Sequence, residues 1–131
     1  MEILKIHENQ IKEAYPLMSK LRTHLSLEDY IELVTEAMEK DNYEMYGLYI
    51  GDNLASVIGF QSMTTLYYER FIWICDLVTD DNYRSLGYGE HLLTHIESLS
   101  KEKGYEAIAL SSGLQKNMHT VFMKIKCHTT K

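Results

Sequence analysis

A nearly continuous apolar run, followed by a glycine-containing turn and an amphipathic segment, constrains the fold of this sequence most. Residues 71–78 read Phe-Ile-Trp-Ile-Cys-Asp-Leu-Val, and such a run predicts a strand near the centre of a sheet. Residues 87–103 place apolar side chains along one helical face, and Gly104 stands where a helix commonly ends. A strand, a turn and a helix in this order predict the first half of a β-α-β crossover.

The remaining segments predict a mixed β-sheet with flanking helices, an α/β domain. Residues 2–7 alternate as a strand does, and residues 8–25 show helical spacing that Pro16 should bend or split. Ser26 has the character of an N-cap for a second helix. Residues 43–50 and 54–63 resemble a hairpin, residues 105–110 a short strand, and residues 115–126 a weaker helix. The predicted order is β-α-α-β-β-β-α-β-α.

Length and composition predict one globular domain over residues 1–131. The net charge of -6 and the lack of a Lys/Arg cluster argue against nucleic-acid binding. No basic leader and no apolar run of about 18 residues is present, so we expect no membrane span and a cytoplasmic location. His91 and His95 are four residues apart, but no third ligand accompanies them, and we expect no metal site.

The turn Arg84-Ser85-Leu86-Gly87-Tyr88-Gly89 opens the predicted helix. The first amides of a helix have no intrahelical acceptors, the helix dipole adds positive potential, and glycine lets an anion approach the backbone. Arg84 can add a charge-assisted contact. The turn lacks the Gly-Lys-Ser/Thr of a P-loop and the third glycine of a dinucleotide fingerprint. It therefore predicts an anion site of another kind.

Together with its surroundings, this turn resembles the cofactor-binding core of the GNAT superfamily of N-acetyltransferases. The resemblance rests on Asp76-Leu77-Val78-Thr79, on the Tyr83 to Gly89 turn, on Leu92-Leu93, on Gly104-Tyr105 before a strand ending at residues 110–113, and on Asn117. Because the order of the elements also agrees to about residue 126, the resemblance covers nearly the whole chain.

The resemblance implies acetyl-coenzyme A as co-substrate and a small-molecule or peptide amine as acceptor. It implies a pantetheine arm held by the main chain of a strand, a pyrophosphate held by the glycine turn, and one further contact from the last helix. The residues that it assigns to the cofactor are Leu77, Val78, Thr79, Arg84, Ser85, Leu86, Gly87, Tyr88, Gly89 and Asn117.

Asp76 is the first candidate for a catalytic residue, because an acidic residue just before the cofactor strand often binds or deprotonates the amine in similar proteins. The alternative is a carboxylate that only accepts hydrogen bonds at a sheet bulge. Glu69 is the reserve base. Met123 stands where many similar proteins have a tyrosine general acid. Two other functions therefore stay open: a catalytically silent coenzyme A binding module, and a structural or partner-binding α/β domain without a cofactor.

The end of the sequence departs from the pattern of similar proteins. They continue with two further strands, whereas this chain stops at Lys131. We expect the last two strands to be lacking and the strand around residues 107–110 to have an unpaired edge. Either the C-terminus has been altered, or a second subunit in a homodimer supplies a pairing strand.

Overall fold

The computed structural model describes residues 1–112 and 119–124 and arranges six strands in one sheet, in the order β1-β2-β3-β4-β5-β6. Neighbouring strands are antiparallel except β4 and β5, which are parallel. The elements are β1 (Glu2–Ile6), a 3-10 helix (Glu8–Ala14), α1 (Tyr15–Leu21), α2 (Leu27–Lys40), β2 (Tyr43–Ile50), β3 (Asn53–Thr65), β4 (Glu69–Thr79), a short 3-10 helix (Asp81–Tyr83), α3 (Tyr88–Glu102), β5 (Ala107–Ser112) and β6 (His119–Lys124). The mixed sheet with flanking helices is confirmed.

Local chemistry explains the two N-terminal helices. Pro16 lies in the first turn of α1, directly after the 3-10 helix, so the predicted split is confirmed. Proline is favoured there because its missing N–H group would have no partner in that turn. Ser26 caps α2, and its hydroxyl accepts a hydrogen bond from the Asp29 amide at 3.1 Å.

The helices cover both faces of the sheet and so produce two apolar layers. On one face, Leu17 and Met18 of α1 and Tyr30 and Val34 of α2 pack with Met45 and other strand residues. On the other face, Leu92 and Ile96 of α3 pack with strand residues that include Ile58, Ile74 and Ile108. The predicted crossover is confirmed, because α3 connects the parallel strands β4 and β5.

Two irregularities of β4 shape the middle of the sheet. Gly59 of β3 lies opposite Asp76 and Phe60 lies opposite Ile74, so Cys75 is an extra residue that forms a β-bulge. Pairing between β4 and β5 covers only residues 71–74 and 107–110. Beyond Ile74 the described strands diverge, since β4 continues along β3 while β5 continues along β6.

The segment after β5 corrects two predictions. Residues 119–124 form β6, which pairs antiparallel with β5, so the helix predicted over residues 115–126 is wrong there. Val121 and Phe122 favour strands, and pairing satisfies the backbone groups of β5, so the long-range contact overrides the weak helical spacing. The expected unpaired edge of β5 is therefore also wrong, because this chain itself supplies the pairing strand. The homodimer stays a prediction.

No helix within the described residues combines the length and the apolar character that crossing a bilayer requires.

Candidate active site

Asp76 lies at the β4 bulge and has both carboxylate oxygens engaged. Its Oδ1 accepts a hydrogen bond from Arg22 Nε at 2.9 Å, and its Oδ2 accepts one from the Tyr43 hydroxyl at 2.8 Å. The residue is only 9% exposed. A buried carboxylate in an apolar strand is tolerated when a charge partner and hydrogen bonds compensate its lost hydration. The structural interpretation of Asp76 is therefore supported, while its catalytic role stays a prediction.

Arg22 connects the end of α1 to this bulge. Besides its ion pair with Asp76, its Nη2 donates to the Cys75 carbonyl at 2.9 Å. The bulge frees this carbonyl from the regular ladder, and the guanidinium satisfies it. Arg22 thus fixes both the backbone and the carboxylate at the point where β4 leaves β5.

Gly59 provides the space that Tyr43 occupies beside Asp76. A Cβ atom at Gly59 would collide with the hydroxyl and ring of Tyr43. A glycine inside a strand often marks such a close approach. The hydrogen bond between Tyr43 and Asp76 therefore depends on the absence of a side chain at Gly59.

The surroundings of Asp76 hold nearby hydroxyl and thiol groups in their protonated forms. Burial, and then the Asp76 carboxylate, raise the pKa of Tyr43 well above its ordinary value of 10.0 and also raise the pKa of Tyr30. Burial is also the main cause that raises the pKa of Cys75 to about 12. Tyr43 is therefore a stable donor to Asp76, and the Cys75 thiol is not a ready nucleophile.

A cavity of about 370 Å³ opens beside this network, between α1, α2 and the sheet. Arg22, Tyr43 and Asp76 contribute polar groups to its wall, together with His24. The rest of the wall consists of Met18, Leu25, Tyr30, Leu33, Val34 and Ala37. A small molecule could therefore lie against Asp76 while most of its surface contacts apolar side chains.

The edge of β4 next to this network is open on the side of β5. The Asp80 amide donates to the Ala55 carbonyl at 2.8 Å, and residues two apart on an antiparallel strand repeat this orientation. The main-chain groups of Val78 therefore face β3, where its carbonyl also accepts from the Ser56 hydroxyl at 3.0 Å. Those of Leu77 and Thr79 face the gap. Among the described strands, none pairs with this edge beyond Ile74.

The glycine turn lies at the end of the same edge. Ser85 and Gly87 have positive φ angles of 66° and 79°, and Gly87 is the N-cap of α3. The first helical hydrogen bond runs from the His91 amide to the Gly87 carbonyl at 3.0 Å. The amides of Tyr88, Gly89 and Glu90 precede that bond and have no acceptor within the helix.

Tyr88, Gly89 and Glu90 line a cavity of about 460 Å³, together with residues that include Thr79 and Arg84. A Cβ atom at Gly89 would lie 3.4 Å from Thr79 Oγ1, so the protein itself has room for it. A side chain there would nevertheless occupy the space between the start of α3 and the end of β4. This arrangement suits a bound phosphate group, because its oxygens could reach the helix-start amides directly.

Charged side chains at the turn form an exposed chain of ion pairs. Arg84 Nε lies 3.0 Å from Asp81 Oδ1, and Lys20 Nζ lies 3.7 Å from Asp81 Oδ2. Asp81 therefore holds two cations beside the helix start. Such exposed pairs contribute little to stability, so an anionic ligand could replace Asp81 as the partner of Arg84 with little loss of stability.

The structure brings most predicted site residues together along one line, from Asp76 through the edge of β4 to Gly89. Glu69 is separate, because it lies exposed at the β3–β4 turn with a φ of 62°, seven residues before Asp76. At about 3.3 Å per residue, that separation is roughly 23 Å along the strand. Asn117 lies outside the described residues. Within the described chain, no group of His, Cys, Asp and Glu residues could hold a metal ion.

Arg22, Tyr43 and Gly59 were not predicted to belong to the site. Each is distant in sequence from Asp76, and only the folded sheet brings them together. One signal was present in the sequence: Gly59 interrupts an otherwise strand-like segment, and such a glycine indicates a bulge or a close approach. Nothing comparable marks Arg22.

The mixed sheet, the β4-α3-β5 crossover and the glycine turn that opens α3 are those of the N-acetyltransferase fold that the sequence predicts. Comparison with known proteins agrees. The model of the acetyltransferase (GNAT) family matches residues 9–123. The chain belongs to this family and is an N-acetyltransferase.

One relative is YhdJ of Bacillus subtilis, an uncharacterised N-acetyltransferase that is 35% identical over 104 residues, which are 79% of this chain and 73% of that protein. A GNAT family acetyltransferase from Staphylococcus aureus has a similar structure, with a TM-score of 0.74, 20% identity, and coverage of 100% of this chain and 98% of that one. An aminoglycoside acetyltransferase from a soil metagenomic sample gives a TM-score of 0.71 at 20% identity, over 85% of this chain and 76% of that one. At these identities the two structures support the fold.

Proposed function

We propose that this enzyme transfers the acetyl group of acetyl-coenzyme A to the amine of a small acceptor by direct attack. The observation that carries the proposal is the continuity of the site. The acceptor-sized cavity at Asp76, the open edge at Leu77 and Thr79, and the anion site at Gly87 to Gly89 follow one another along β4 and the turn.

The cofactor fits these residues in an extended arrangement. The main-chain groups of Leu77 and Thr79 can bind an amide-containing arm as an added strand would. The amides at the start of α3 can bind a pyrophosphate, and Arg84 can exchange its bond to Asp81 for a phosphate oxygen. Acetyl-coenzyme A supplies a thioester, whose carbon–sulfur bond breaks as the amine nitrogen bonds to the acetyl carbon.

Asp76 has a defined role in this proposal. Each of its oxygens accepts one hydrogen bond from the protein, which leaves lone pairs on both oxygens for an acceptor amine. Since Arg22 and Tyr43 fix the carboxylate, it can orient the amine at the edge of β4 or accept its proton. The leaving group is a thiolate, which is a weak base, so the step does not require a tyrosine acid in place of Met123.

The experiment is an assay of thiol release from acetyl-coenzyme A with a panel of amines, together with calorimetry of coenzyme A binding. Saturable thiol release with an amine, and an acetylated product of the matching mass, would support the proposal. Binding without release from any amine would favour the catalytically silent module. No binding at all would favour an α/β domain without a cofactor.

A further inference from the structure

Arg22 presents a fixed, partly unused guanidinium to the cavity beside Asp76. Its Nε and Nη2 atoms are held at 2.9 Å by Asp76 and by the Cys75 carbonyl. A guanidinium has five N–H donors, and the remaining ones have no partner among residues 1–112 and 119–124. The side chain is 34% exposed and lines the cavity. Its free edge is therefore oriented in advance for a planar anion such as a carboxylate.

The rest of the cavity wall offers few polar groups to a ligand. The Tyr30 hydroxyl donates to the Ile11 carbonyl at 2.7 Å, and the Tyr43 hydroxyl donates to Asp76 at 2.8 Å. His24 is the other polar residue, and five residues are apolar: Met18, Leu25, Leu33, Val34 and Ala37. A ligand that fills this space should have an apolar body.

The charges of the cavity do not favour a polycation. Asp76 is the only acidic residue among the described residues that line it, and Arg22 compensates its charge. A ligand with several amines would gain one carboxylate and meet one guanidinium. A ligand with one amine and one carboxylate would find an opposite partner for each.

We infer that the acceptor is an amine that also carries a carboxylate and an apolar body, which is the chemistry of an apolar amino acid. This inference rests on the proposed function and specifies its acceptor class. Arg22 and Asp76 are adjacent, so a carboxylate and an amine on one carbon atom can reach both. The carboxylate accepts hydrogen bonds from the free edge of Arg22, the amine lies against Asp76, and the apolar side chain occupies the cavity.

The first test compares L-leucine with leucinamide in the thiol-release assay, with L-phenylalanine and phenylalaninamide as a larger pair. Each amide keeps the amine and the apolar side chain but lacks the carboxylate. Its amine is also less basic, so a larger fraction of it is unprotonated near neutral pH, and this alone would favour the amide. The inference predicts the opposite: kcat/KM higher for the amino acid by about tenfold to a hundredfold, the range for hydrogen bonds to a charged group.

Two variants test whether the preference for the amino acid over its amide depends on Arg22 and on the charge of the cavity. Arg22→Lys keeps a positive charge beside Asp76 but removes the planar fork. Because Arg22 also holds Asp76, turnover of both substrates should fall, but the loss in kcat/KM should be about tenfold larger for L-leucine than for leucinamide, and coenzyme A affinity should stay near that of the parent. Leu33→Asp adds a carboxylate at a residue that is 51% exposed and so should fold. Both substrates lose the same apolar contact, but the new carboxylate repels only the carboxylate of L-leucine, so kcat/KM should fall more for L-leucine than for leucinamide.

Equal kcat/KM values for the amino acids and their amides, or faster turnover of the polycation spermidine, would overturn this acceptor class. If coenzyme A binds but no amine releases thiol, the proposed function itself fails. In that case calorimetry of L-leucine with the coenzyme A-saturated protein decides the inference. Binding that is lost in Arg22→Lys supports it, and absence of binding overturns it.

Discussion

The two ends of the site are built in different ways. Around Asp76, side chains from the C-cap of α1, from β2 and from β4 are joined by hydrogen bonds across more than 30 residues of sequence. Around Gly87, consecutive residues of one turn present exposed main-chain groups. Side chains that are fixed by long-range contacts suit recognition of a particular acceptor, whereas helix-start amides bind the same anion whatever the neighbouring side chains. Substitutions at the two ends should therefore affect different measurements.

The largest expected effect is loss of turnover in Asp76→Asn, which keeps the shape of the side chain but removes its charge. If Asp76 orients or deprotonates the amine, kcat/KM should fall by roughly two to four powers of ten. Coenzyme A affinity should stay near that of the parent. Glu69→Gln is the matched control, because Glu69 is exposed at the far end of β4.

Parental turnover in Asp76→Asn at saturating amine would remove Asp76 from the mechanism. Parallel losses of melting temperature and coenzyme A binding would show instead that the aspartate is only structural.

Gly89→Val, unlike Asp76→Asn, should weaken binding of the cofactor. A branched side chain would fill the space between the start of α3 and Thr79, where we place the pyrophosphate. Loss of hydrogen bonds to a charged group should weaken coenzyme A binding about tenfold to a hundredfold. The melting temperature should change little, because valine is at least as good a helix former as glycine. Ser98→Val, at an exposed position of the same helix, controls for the added valine.

Calorimetry of coenzyme A binding to both valine variants tests whether the start of α3 holds the pyrophosphate. If Gly89→Val binds as tightly as Ser98→Val, the start of α3 is not the phosphate site.

Gly59→Ala should destabilise the protein by disturbing the contact between Tyr43 and Asp76. The added Cβ atom would displace the Tyr43 ring from its place beside Asp76, and we expect a loss of about 1–3 kcal/mol in unfolding free energy. Tyr43→Phe removes only the hydroxyl and should lose less. Denaturant unfolding measures both. Equal stability of Gly59→Ala and the parent would show that Tyr43 does not depend on this space.

Alkaline pH should lower the unfolding free energy gradually, through the titratable groups beside Asp76. Tyr43 and Cys75 have raised pKa values in the fold, so folding favours their protonated forms. That stability is complete below the unfolded values of 10.0 and 9.0 and declines as the pH rises above them. The unfolding free energy should fall by up to about 1.4 kcal/mol per pH unit for each group. Denaturant titrations from about pH 8 to about pH 10.5 should show a shallower decline in Tyr43→Phe. A pH-independent parent would contradict this.

The sequence predicted the secondary structure around Gly87 well, but it did not predict the side-chain contacts around Asp76. The turn at Gly87, the helix after it and the strand before it have short-range signals, and the structure confirms all three. The contacts of Asp76 with Arg22 and Tyr43 depend on how distant elements pack, for which a single sequence gives no spacing rule. The error at residues 119–124 has the same cause, because pairing with β5 decides their conformation.

Amide hydrogen exchange measured by NMR with and without coenzyme A tests most directly whether the cofactor binds along the open edge of β4, because neighbouring amides of this strand face different partners. Leu77 and Thr79 face the gap, whereas Val78 faces β3. Saturating coenzyme A should slow exchange at Leu77, Thr79, Tyr88 and Gly89 and leave Val78 nearly unchanged. Coenzyme A binding with no added protection at Leu77 and Thr79 would contradict the account.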